Sequence, residues 1–230
     1  YDHEEVESSA NSLTRIAATR PELLAGDFAV LMEPTSAAVE GGCQGTLRFT
    51  VTTSGRAAHS ARAWMGHNAI HDAADVLARL RAHEAEQPEV DGLRYHEGLN
   101  AVAISGGIAG NVIPDTCTIS VNYRFAPHRS VQQAMDYCRA VLPDHELTFV
   151  DAAAGARPGL DLPAAADFVA AVGGQPTAKF GWTDVARFSA LGIPAVNFGP
   201  GNPSKAHADD EFCPVVDLFT CRDALVRWLG

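Results

Sequence analysis

The chain has 230 residues, 47% of them apolar and 20% charged, with a formal net charge of −11. This composition fits a globular chain of one large or two small domains, and its acidity argues against nucleic acid and anionic membranes as partners. The five cysteines (Cys43, Cys117, Cys138, Cys213, Cys221) include no C-x-x-C pair, so free, mostly buried thiols are expected rather than disulfides or a structural zinc site.

The opening residues Tyr1-Asp2-His3-Glu4-Glu5 contain no basic or apolar signal region and no Met. They read as neither a signal peptide nor a natural start. No apolar run is long enough for a transmembrane helix. A helix is expected within 7–20, ending before Pro21, and then a short apolar strand over 28–32. Glu33 follows that strand, at the end where α/β sheets present ligands.

From Gly45 the pattern changes. Residues 46–53 alternate as a strand, and 69–83 form an amphipathic helix with Ile70, Ala73, Ala74, Leu77 and Leu80 on one face. Strands are expected over 99–108 and 116–125. A helix over 131–141 starts at the cap Ser130 and stops before Pro143, and a strand over 147–150 closes the set. The order β-α-β-β-α-β is the ferredoxin-like arrangement. After Gly155 the α/β pattern returns: a helix over 163–172, a strand over 178–180, a helix over 184–190, a buried strand over 193–198 and a helix over 216–229. The expected fold class is therefore α/β, a mixed-sheet domain in two segments, 1–43 and 153–230, interrupted by a ferredoxin-like α+β domain at 44–152.

Several residues are suited to chemistry. Two adjacent carboxylates, Glu4 and Glu5, repel unless a cation is present; with a metal, one can ligate while the other takes a proton. Glu33 and His207 are of types that ligate zinc, and acids near His207 could hold its second ring nitrogen. His59, in a loop of small residues, could donate to an oxyanion. Arg124 suits a carboxylate, and Asn111 is a further polar group in a turn. Taken singly, Glu4, Glu5, Glu33, His59 and His207 read more readily as solvated side chains, and Asn111 and Arg124 equally well as structural ones. His67 and His71 have helical metal spacing but lack the glutamate of H-E-x-x-H, and Gly106-Gly107-Ile108-Ala109-Gly110 leads into no helix, so it reads as a turn.

In series these residues are more specific. Glu4-Glu5, Glu33-Pro34-Thr35, Ala58-His59-Ser60, Gly110-Asn111-Val112-Ile113-Pro114 and Ala206-His207 resemble the aminoacylase/carboxypeptidase-type dinuclear zinc hydrolases. Three longer strings, 1–7, 58–66 and 179–188, are similar to the actinobacterial succinyl-diaminopimelate desuccinylase branch of that family.

The resemblance implies roles. Glu4 would be the general base. Glu5 and His207 would hold one zinc, and Glu33 the other. His59 would reach across a homodimer, formed through the inserted domain, to polarise the partner's amide carbonyl. Asn111, Arg124 and Thr183 would bind substrate, with Gly181, Gly199 and Gly201 lining the cleft. The implied cofactor is two Zn2+ ions per complete site, with Co2+ as a substitute. The implied reaction is cytoplasmic hydrolysis of N-succinyl-LL-2,6-diaminopimelate in lysine and cell-wall precursor synthesis. An upstream His-x-Asp motif and a bridging aspartate of the family pattern cannot be placed here, so the chain alone is expected to be inactive. Sister activities (acetylornithine deacetylase, other acyl amino acid deacylases, zinc carboxypeptidases) and a non-catalytic dimerisation fragment are the alternatives.

Overall fold

The structure is a computed structural model that describes residues 11–206 and 208–230. In chain order the elements are α1 (Ser12–Thr19), β1 (Ala29–Leu31), β2 (Glu40–Gly41), β3 (Gly45–Ser54), β4 (Ala58–His59), α2 (Ala69–Ala82), β5 (Glu89–Val90), β6 (Leu93–Arg94), β7 (Gly98–Gly106), β8 (Val112–Ile113), β9 (Thr116–Phe125), α3 (Val131–Val141), β10 (Leu147–Ala153), α4 (Pro163–Val172), β11 (Thr177–Ala178), α5 (Val185–Ala190), β12 (Ala195–Asn197) and α6 (Val215–Leu229).

Two four-stranded sheets organise these elements. The first, in order β10-β3-β9-β7, is antiparallel throughout and is the expected ferredoxin-like sheet. Strict alternation along β3 and β9 turns Leu47, Phe49, Val51, Ile119, Val121, Tyr123 and Phe125 toward α2 and α3, where all are buried. Each such large apolar side chain contributes about 1.5–3 kcal/mol by leaving water. Ser130 and Gln133 close a capping box at the start of α3.

The expected inner face of α2 needs correction. Its buried residues are Ala69, Ala73, Val76 and Leu80, while Ile70 and Leu77 remain 41% and 38% exposed. Small residues let the helix sit close on the sheet, and the bulkier stripe turns toward the edge beside β7. There Val102 and Ile104 are also exposed.

The second sheet, in order β1-β12-β2-β11, is mixed: β1 and β12 are parallel, β12 and β2 antiparallel, and β2 and β11 parallel. On it α4 and α6 bury Phe168, Phe198, Val196 and Cys221, with Phe28 and Trp228 packed alongside.

Two strand crossings join the sheets. Cys43 and Ala156 exchange backbone hydrogen bonds of 3.0 Å. Tyr95 donates its hydroxyl to the Gly41 carbonyl (2.9 Å), and Gln44 donates to the His96 carbonyl (2.7 Å). Among the described residues no helix is long and apolar enough to cross a membrane.

Candidate active site

The candidate residues fall into two groups at opposite ends of the inserted sheet. One gathers at the hinge between the sheets. Glu33 follows β1 directly, and its turn is stitched to the loop after β12. Phe198 N–H donates to the Leu31 carbonyl (2.8 Å), Ala37 N–H to the Gly199 carbonyl (2.9 Å) and Ser36 N–H to the Gly201 carbonyl (2.7 Å). Gly199 N–H donates to the Thr35 hydroxyl (3.0 Å), which itself donates to the Ala38 carbonyl (2.6 Å). Gly199 permits this approach, since a Cβ there would lie 2.5 Å from the Glu33 carbonyl oxygen. Gly201 sits at φ 95°, beside Pro34 and Cys213.

Thr183 is buried at the same end. Its hydroxyl donates to Asn197 Oδ1 (2.8 Å), and the Asn197 amide donates to the Gly42 carbonyl (3.0 Å). Gly181 lies in the preceding loop, where a side chain would meet open space. The thiol of Cys43 points at the Thr183 carbonyl (3.7 Å), and burial pushes its pKa up. Arg124 comes from the last turn of β9, across from Thr46. Its guanidinium is held below its ordinary pKa by loss of solvation and by the charge of Arg48.

Lys179 was not singled out from the sequence. It is buried, with Nζ 2.9 Å from Glu40 Oε2 and 3.4 Å from the Pro34 carbonyl, so it braces the turn that carries Glu33. Asn197 was also missed, although a polar residue inside the apolar run 195–198 is the signal that could have found it.

The other group is at the far tip. β4 pairs with β8, and Ser60 N–H donates to the Asn111 carbonyl (2.9 Å), which places His59, at the end of β4, beside the turn that carries Asn111. Ala61 N–H donates to His59 Nδ1 (3.1 Å). In the neutral ring this leaves the proton on Nε2, on an exposed side chain. β9 runs its full ten residues between the Asn111 end and Arg124, a span of about 30 Å. His59 and Asn111 therefore cannot meet a substrate held by Arg124 and Thr183 of the same chain.

Glu4, Glu5 and His207 lie outside the described residues. Among those described, no three His, Cys, Asp or Glu side chains come together as a metal site. Glu33 at a strand end, with Glu5 and His207, is a donor set of carboxylates and imidazole that zinc accepts. A separate cleft of about 420 Å³ between α1, the end of β10 and α5 is lined by Leu13, Ala153, Trp182, Phe188 and Leu191, and contains none of the candidate residues.

Residues 42–149 match the family model of a peptidase dimerisation domain. Over its whole length the chain is 52% identical to a putative succinyl-diaminopimelate desuccinylase of Mycobacterium tuberculosis H37Rv, of which it spans 66%. It is 45% identical to a succinyl-diaminopimelate desuccinylase of Corynebacterium glutamicum, of which it spans 64%. Residues 42–149 are a dimerisation domain of the M20 peptidase type, and the whole chain is similar to these desuccinylases. An M20 family metallo-carboxypeptidase, Sso-CP2 from Sulfolobus solfataricus, has the same fold at a TM-score of 0.72 and 16% identity, over 98% of this chain and 68% of that one. The chain thus spans just under two thirds of the curated M20 relatives it matches.

Proposed function

We propose that this chain is the major part of a zinc-dependent amidohydrolase that cleaves N-succinyl-LL-2,6-diaminopimelate to succinate and LL-diaminopimelate in the cytoplasm. The observation that carries this reading is identity of 52% and 45%, over the full chain, with proteins named for that reaction. The separation of hinge and tip groups supports a homodimer with composite sites. In it, Glu33, Arg124 and Thr183 of one protomer work with His59 and Asn111 of its partner. The edge strand β7, on which Val102 and Ile104 are exposed, is a suitable self-pairing surface.

Glu33, Glu5 and His207 would hold zinc, which when bound supplies Lewis-acid polarisation and a more acidic water. Glu4 accepts the proton of the attacking water and returns it to the leaving amine nitrogen. His59 donates Nε2–H to the carbonyl oxygen as its negative charge develops. Arg124 holds a substrate carboxylate, so the scissile amide stays in register with these groups. Gly181, Gly199 and Gly201 leave the cleft wall free of side chains.

The test uses the complete product of the gene. Zinc content and hydrolysis of succinyl-diaminopimelate, N-acetylornithine and a C-terminal dipeptide are measured side by side. Preference for the succinylated substrate is expected. Preference for either alternative would replace this reading with a sister activity.

A further inference from the structure

The face of the inserted sheet opposite α2 and α3 carries, beside Arg124, a second cation that the proposed reaction does not use. Along β3 and β9 the residues pointing away from the helices are Thr46, Arg48, Thr50 and Thr52, and Thr118, Ser120, Asn122 and Arg124. Thr46 is directly opposite Arg124, and Arg48 opposite Asn122. Arg48 and Arg124 are therefore diagonal neighbours on one face, close enough for long side chains to converge on one ligand.

Two cations so placed repel, and the arrangement is favourable only with anions between them. The sheet supplies one. Arg48 donates from Nε (3.1 Å) and Nη2 (2.7 Å) to a single oxygen, Oδ2 of Asp151 on β10. This fixes the Arg48 fork and leaves its Nη1 edge for another acceptor. Arg124 forms no hydrogen bond or ion pair among the described residues. Loss of solvation and the charge of Arg48 oppose its ionised form and outweigh the favourable charge of Asp151, so an anion bound there relieves a standing electrostatic cost. Arg124 also lies at the hinge, on the side of Cys43 and Thr183.

We infer that Arg48 and Arg124 form one subsite for a dicarboxylate, in which Arg48 selects ligands bearing a second carboxylate. This rests on Arg124 being a carboxylate-binding residue, as proposed above. Arg48 is then a specificity-determining residue on a sheet face whose other side chains along β3 and β9, Arg124 aside, are neutral and polar.

The experiment uses the complete product of the gene. Succinate and acetate are titrated while arginine Nε–H signals are followed by NMR, with a thermal midpoint taken for each variant. Succinate is expected to move the signals of both arginines and to bind more tightly than acetate. Arg48→Ala lowers succinate affinity about tenfold, the scale of one charge-assisted fork, and leaves acetate affinity unchanged. Asp151→Asn breaks the ion pair but keeps Arg48, so the preference for succinate persists. An unchanged succinate-to-acetate ratio in Arg48→Ala overturns the inference. So does loss of the preference in Asp151→Asn, which would give Arg48 a structural role only. If Arg124→Ala leaves both affinities intact, the carboxylate reading of Arg124 fails as well, and absence of binding by either anion overturns both.

Discussion

The hinge and the tip of the inserted domain are built by different means. At the hinge, several polar groups are buried and held by hydrogen bonds. Glu97, 5% exposed, accepts from the Tyr123 hydroxyl (2.6 Å), Ala126 N–H (2.9 Å) and Arg129 Nη1 (2.5 Å). Arg129 lies over the Tyr137 ring at 4.5 Å and also reaches Glu86 (2.8 Å). Close by, Thr183, Asn197 and Gly199 lock the Glu33 turn. At the tip, His59 and Asn111 are on short, solvent-facing loops secured by a two-residue ladder. Trp64, 78% exposed, stands beside them. In the proposed dimer the rigid hinge would carry one protomer's own machinery. A tip left open and polar is what a second protomer can receive.

This contrast can be broken by substitution. The largest effect is expected at Glu97. Glu97→Ala leaves the Arg129 guanidinium and the Tyr123 hydroxyl buried without their acceptor, and should cost about 3–5 kcal/mol of stability in denaturant unfolding. The tip should behave in the opposite way. His59→Ala in the complete gene product should lower kcat by about 10²–10³-fold, while its unfolding free energy moves by less than about 0.5 kcal/mol. An equal loss of stability at both positions would erase the distinction.

A smaller effect is expected for Gly199→Ala. The added methyl meets the backbone of Met32 and Glu33, so a loss of about 1–3 kcal/mol should accompany weakened zinc binding, read by chelator competition. The smallest effect is on pH dependence. Burial pushes up the Tyr123 and Tyr95 hydroxyls and raises the Cys138 thiol from 9.0 to about 12. Groups whose folded values are raised contribute fully below their unfolded values and lose that contribution as pH climbs toward the folded ones. Stability should therefore hold to about pH 9 and decline above it. Cys138→Ala should soften that decline, and no tip substitution should alter it.

Much of this was legible in the sequence. Alternation along 46–53 and 116–125, with Ser130 and Pro143 bracketing a helix, was enough for the ferredoxin-like order, because period and caps are local properties. The inner face of α2 was not, since Ala69, Ala73, Val76 and Leu80 form a stripe beside that of Ile70 and Leu77, and tertiary packing chose the smaller one. The two-residue strands β2, β4, β5, β6, β8 and β11 are too short to carry periodicity and are held by their partners. Glu33, Arg124 and His59 stood out by residue type and by resemblance. Lys179, Arg48 and Glu97 did not, because their meaning lies in Glu40, Arg124 and Arg129, which only the fold brings alongside.

The central claim is that hinge and tip residues act on one substrate from different protomers, and subunit mixing tests it most directly. His59→Ala and Glu33→Ala forms of the complete gene product, each inactive alone, are combined and allowed to exchange subunits. Half of the dimers become hybrids, each with one intact composite site, so activity should recover to about a quarter of the unmodified enzyme's. A mixture as inactive as its two components, with subunit exchange demonstrated, would contradict the account.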